Sequence, residues 1–94
     1  MFTWINRQGV KSSEGFSVQS VSRFVIEYRE GNNCLSIEVE SDYEPGKKPV
    51  EKIPKNSISK WDDGSNITKK KQKEILKNFI AAMEFQGITI IVDE

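Results

Sequence analysis

The sequence predicts an α+β fold: an antiparallel β-sheet of about four to six strands, one long C-terminal helix packed on one face, and a final strand. Three observations predict it. Phe24, Ile26 and Tyr28 alternate with polar residues and are mirrored by Leu35, Ile37 and Val39 beyond a Gly-Asn turn. From Ile75 to Met83 the apolar residues recur at helical spacing. Ile88 to Val92 is a β-branched run, which favours a strand.

The first eleven residues show no clear period, although Phe2, Trp4 and Ile5 could cover one edge of a core. Phe16-Ser17-Val18-Gln19 alternates as a short half-buried strand should. Between Tyr28 and Leu35 lies Glu30-Gly31-Asn32-Asn33, rich in residues that tolerate positive φ. A two-residue Gly31-Asn32 turn pairs Tyr28 with Leu35, Ile26 with Ile37 and Phe24 with Val39. All six apolar side chains then share one face, which sets the register.

Residues 42–56 hold Pro45, Pro49 and Pro54 together with Gly46, Lys47 and Lys48. Proline cannot donate to a ladder, so this stretch reads as an exposed loop or a poor edge strand. Ile58 and Trp61 precede a second turn, Asp62-Asp63-Gly64-Ser65. The helix is expected from Lys69 to Phe85, with Thr68 as N-cap and an apolar stripe of Ile75, Leu76, Phe79, Ile80 and Met83. Gly87 suits the left-handed position after the helix, with Ile88 returning to Met83.

A chain of 94 residues has room for one core, so residues 1–94 are read as a single domain. Basic and acidic side chains balance at 14 each, whereas nucleic-acid binders usually carry a basic excess. Residues 1–46 nevertheless hold 4 basic and 7 acidic groups, and residues 47–94 hold 10 and 7. One cysteine, Cys34, allows no internal disulfide. Met1 to Arg7 lacks the pattern of a secretory signal, and no apolar run approaches the ~20 residues that span a bilayer. The expected location is the cytoplasm, with no membrane contact.

Histidine is absent, which removes the commonest general base near neutral pH. Cys34 has no such partner and reads as a small buried hydrophobe rather than a nucleophile. No Gly-rich loop matches a phosphate cradle, no His/Cys cluster matches a zinc site, and Asp62-Asp63 reads as turn chemistry. Neither catalysis nor a cofactor nor a metal is expected.

Two charge features remain. Glu38, Glu40, Asp42 and Glu44 are spaced by two and project from the strand face opposite Leu35, Ile37 and Val39. They form either an acidic strip for a basic partner or a solvated face, with Arg23 opposite Glu40 and Val25 opposite Glu38. Lys69-Lys70-Lys71, Lys73 and Lys77 oppose the helix dipole at its N-terminal end. They form either a nucleic-acid contact or a solvated face, with Glu74 offsetting Lys70. Trp61 caps the core at the helix entry or anchors an interface.

At Ile58-Ser59-Lys60-Trp61-Asp62, Ile67-Thr68, Ile75-Leu76-Lys77-Asn78-Phe79 and Ala82-Met83-Glu84-Phe85-Gln86-Gly87, followed by the last strand, the chain resembles a family of small bacterial immunity proteins. These are encoded beside polymorphic or contact-dependent growth-inhibition toxins. The resemblance covers mainly the chain from Ile58 onward and departs at Asp63-Gly64-Ser65, where the family has a proline-containing turn. It implies stoichiometric inhibition of a cognate toxin, commonly a nuclease with a basic face, by a monomer binding one-to-one. The expected contact residues are Glu38, Glu40, Asp42, Glu44, Trp61 and Asp62. The alternative is a nucleic-acid-associated module using the Lys69–Lys77 helix.

Overall fold

The computed structural model describes residues 1–42, 46, 49–54 and 56–93. Its elements are β1 (Phe2–Asn6), β2 (Gly9–Ser12), β3 (Phe16–Ser22), β4 (Val25–Glu30), β5 (Asn33–Glu38), β6 (Glu40–Asp42), β7 (Val50–Pro54), α1 (Lys69–Phe85) and β8 (Thr89–Asp93). The first five strands form an antiparallel meander in chain order, and β6-β7-β8 form a second sheet in which β7 and β8 run parallel. The fold is α+β, as the sequence predicts.

The central hairpin has the expected register, with Tyr28 opposite Leu35 and Ile26 opposite Ile37. Gly31 takes φ +60° while Asn32 keeps a negative φ, so glycine at the first turn position supplies the backbone twist that matches the strands. The third expected pair differs. Val39 N–H does donate to the Phe24 carbonyl at 2.8 Å, but Arg23 and Phe24 form the β3–β4 turn and the Phe24 ring is exposed. A tight reversal leaves its corner residue outside the pleat, and the core does without Phe24.

The N-terminal residues form a β1–β2 hairpin, with Phe2 packed edge-on against Phe16 at 5.8 Å and against Phe85 of the helix at 5.5 Å. The proline-rich stretch is not simply a loop. Val50 to Pro54 is the middle strand of the second sheet, because Pro49 and Pro54 bracket the strand and leave the amides between them free to pair. Pro45, Lys47 and Lys48 lie outside the described residues.

The helix has the expected bounds. Thr68 Oγ1 accepts from Lys71 N–H at 3.2 Å, and the C-terminus closes as a Schellman motif. There Ile88 N–H donates to Met83 O and Gly87 N–H to Glu84 O, both at 2.9 Å, with Gly87 at φ +84°. Ile75, Phe79, Ala82 and Met83 are buried, whereas Leu76 and Ile80 stay half-exposed on the flank of the stripe. One contiguous core joins Val10, Val18, Ile26, Tyr28, Leu35 and Ile37 of the meander to Ile53 of β7 and to the helix.

A polar link pins the helix to the meander. Tyr28 OH donates to Glu30 Oε1 at 2.7 Å and accepts from Asn78 Nδ2 at 3.1 Å, while Glu30 also pairs with Lys71. Burial pushes the Tyr28 phenol well above its usual range, with Glu30 adding to the effect against the Asn78 hydrogen bond. Lys71, rather than Lys70, is the lysine that meets Glu74, at 3.5 Å.

Candidate partner-binding surface

The alternation that begins in β5 continues without a break into β6. Leu35, Ile37 and Val39 point into the core, and Ser36, Glu38 and Glu40 point to solvent. Val39 is the residue at which the chain leaves the meander for the second sheet. Glu38 is opposite Val25, as the sequence predicts, and Glu40 is opposite Lys52 of β7. The two glutamates therefore flank a seam between the sheets, a cleft of about 220 Å³ that Lys52, Ile53 and Pro54 complete. Asp42 follows in β6, where its backbone pairs with Val50. Glu44 lies outside the described residues. Arg23 makes no ion pair with Glu40; its guanidinium lies over the Phe24 ring at 5.4 Å.

Asp62 reaches this surface by a route that sequence spacing does not show. Its backbone N–H donates to the Cys34 carbonyl at 2.8 Å, and its carboxylate accepts from Ser36 N–H at 2.9 Å and Ser36 Oγ at 2.8 Å. The loop thus covers the outer edge of β5 with a side chain standing in for a strand carbonyl. Desolvation pushes the Asp62 carboxyl up, but the two Ser36 hydrogen bonds and one from Cys34 outweigh it and hold the group below the usual carboxylate range. Asp62 stays charged beside Ser36, which precedes Glu38 by two positions on the same face. Asp63 turns away, accepting from Ser65 N–H at 2.8 Å and so forming the turn itself.

Trp61 is placed differently from the other candidates. It retains only 9% exposure and stacks on Tyr28 at 6.5 Å, so it closes the core beneath the loop and presents almost no surface. Trp61 thus caps the core rather than anchoring an interface. Glu38 and Glu40 come together, Asp62 joins them through Ser36, and Trp61 supports the loop from below.

Cys34 and Glu27 were not among the candidates and border the same face. Glu27 is opposite Ser36 and bonds Arg29 Nε at 2.5 Å. Cys34 is half-buried on the outer side rather than in the core, because the inward positions of β5 belong to Leu35 and Ile37. Burial, the nearby Glu27 and Asp62 push its thiol up to about 11, so it stays protonated at neutral pH. The polar residue Ser36 between two core positions was the one sequence signal for this cluster.

Among the described residues, no three His, Cys, Asp or Glu side chains converge as a metal site, and no helix is long and apolar enough to cross a membrane. Comparison with protein-family models, with curated proteins and with solved structures found no match.

Proposed function

We propose that the protein acts as a cytoplasmic immunity protein that binds a cognate bacterial toxin, a nuclease with a basic substrate face, and neutralises it at one toxin per chain without catalysis. The observation that supports this most is the outward acidic row at the seam of the two sheets, Glu38 and Glu40 with Asp62 held beside them on Ser36. Glu38 and Glu40 sit on strand backbone and Asp62, on its loop, is fixed by two hydrogen bonds from Ser36, so their spacing is held before any partner arrives. Such preorganised charge acts mainly on encounter rate and specificity. The sequence resemblance from Ile58 onward supplies the partner class.

The test is a pull-down with the protein encoded immediately upstream, followed by association kinetics with the purified pair. A tight complex that abolishes the partner's toxicity is expected. Glu38→Lys with Glu40→Lys should slow association about tenfold or more at low salt while leaving the thermal midpoint nearly unchanged. An unaltered association rate removes the acidic row from the mechanism. Strong salt-dependent binding to generic RNA would instead favour the lysine helix, although Lys71 is already engaged by Glu30 and Glu74.

A further inference from the structure

Among the described residues, the strands at sheet edges differ in how well they are protected. β1 carries a bulge between Trp4 and Asn6, β5 is covered by Asp62, and β6 is three residues long and starts with a glutamate. β8 carries a charge only at its last residue, Asp93, and none of the other devices. No described strand adjoins its outer side, Thr89-Ile90-Ile91-Val92 holds neither charge nor proline, and Ile91 is 44% exposed. An uncharged, β-branched, unpaired edge is a template for a further strand. We propose that the strand it takes is β8 of a second copy of this chain, in a symmetric antiparallel dimer that also sets the two α1 helices side by side.

Three independent features fit that occupant. The first is hydrogen-bonding direction. Thr89 N–H donates to Pro49 O at 3.1 Å, so Thr89 and Ile91 direct their backbone groups toward β7, and Ile90 and Val92 direct theirs outward. In an antiparallel pair centred on Ile91, Ile90 of each chain meets Val92 of the other as a hydrogen-bonded pair. Ile91 then meets its own symmetry mate in the closer, non-hydrogen-bonded position, on the face away from the helix, and its exposed side chain is covered.

The second feature is the helix flank. The shallow groove along α1 is lined by Lys73, Leu76, Lys77, Ile80, Ala81 and Glu84. Reversing the helix about the point between Asn78 and Phe79 exchanges Lys73 with Glu84, Leu76 with Ala81 and Lys77 with Ile80. The patch is its own complement, as an isologous interface requires. Lys73 would face Glu84 of the second copy twice, and the half-exposed Leu76 and Ile80 would gain apolar neighbours. Among the described residues neither Lys73 nor Glu84 has an ion-pair partner, so both can make this one.

The third is the position of the axis. From Gly87 back to the centre of the helix patch is about 13 Å at the helical rise. From Gly87 forward to Ile91 is also about 13 Å at the strand rise. The two centres thus lie at matching distances from the turn at Gly87, as a single two-fold axis serving both contacts requires. A partner protein could use the edge, but it would have no reason to match the symmetry of the helix patch.

Sedimentation equilibrium of the full chain, with amide exchange on the same samples, tests the proposal. A concentration-dependent dimer is expected, with Ile90 and Val92 amides protected only where dimer is populated. Ile91→Lys should give a folded monomer, because its side chain faces solvent and its N–H still bonds β7. Lys73→Glu should weaken the dimer about tenfold by placing like charges together twice, and Lys73→Glu with Glu84→Lys should restore it. A monomer at every concentration overturns the proposal. So does a dimer that Ile91→Lys leaves intact or that the double charge exchange fails to rescue.

Discussion

The two sheets of this protein are built on opposite principles. In the meander each strand pairs with the next one along the chain, and its inner face supplies Val10, Phe16, Val18, Ile26, Tyr28, Leu35 and Ile37 to the core. In the second sheet β7 reaches its parallel neighbour β8 only after the whole of α1, and Ile53 is the one described strand side chain there that is fully buried. The meander supports itself through local closures. The second sheet depends on the helix lying across both. Local pairing is entropically cheaper than closing a long crossover, so β6-β7-β8 is expected to form later and open sooner.

The largest expected effect comes from cutting the meander's cover. Trp61→Ala should destabilise the protein by about 3–5 kcal/mol, since a buried aromatic is lost with its stacking on Tyr28. The loop that holds Asp62 on the β5 edge should detach with it, so the Ser36 amide should exchange faster. Urea unfolding and exchange measure both. A loss under about 1 kcal/mol would mean that Trp61 is not part of the core and is available to a partner.

The contrast between the sheets is sharpened by a kinetic pair of variants with similar equilibrium cost. Gly31→Ala places a side chain at φ +60° in the β4–β5 turn and should cost about 1–2 kcal/mol. Ile53→Val trims the buried residue of β7 and should cost about 0.5–1.5 kcal/mol. If the hairpin closes early, Gly31→Ala acts mainly by slowing folding, and Ile53→Val mainly by accelerating unfolding. Stopped-flow chevrons decide it; the reverse pattern would make the crossover, not the meander, the nucleus.

This difference also explains what could be read from the residues alone. Gly31-Asn32 between two alternating runs, and Thr68 and Gly87 around an apolar stripe, are local signals, and the hairpin register and the helix bounds came out as expected. β7 was hidden because Pro49 and Pro54 look the same whether they interrupt a strand or bracket it. The parallel pairing of Val50 with Thr89 has no local signature at all. Phe24 was misplaced because its alternation continues past the strand end into a turn that the side-chain pattern does not mark. Of the candidate surface, Glu38 and Glu40 were legible as a strand period. The bonds from Asp62 to Ser36 join residues 26 apart, and nothing in either segment names the other.

The smallest expected effect lies inside the second sheet and has a pH signature. Glu51, in the middle of β7, is opposite Ile90 on the face it shares with Ile53, and its Oε2 is buried without a hydrogen-bond partner. Burial raises its carboxyl above the usual range. A raised carboxyl penalises the charged form in the folded state. Its contribution is therefore most favourable below the unfolded value and is lost as the pH rises through the folded one. Glu51→Gln removes that titration, so it should raise the thermal midpoint at pH 7 by a few degrees and leave it nearly unchanged at pH 4. The effect stays small because the side chain is only partly withdrawn from water, which screens the charge. Amide exchange should slow in β7 and β8 while β3 and β4 keep their rates, since the meander does not contain the penalised group. An equal shift at both pH values would assign the gain to packing rather than charge. A shift spread over both sheets would mean that they open as one unit, and that the helix couples them more tightly than their separate pairing suggests.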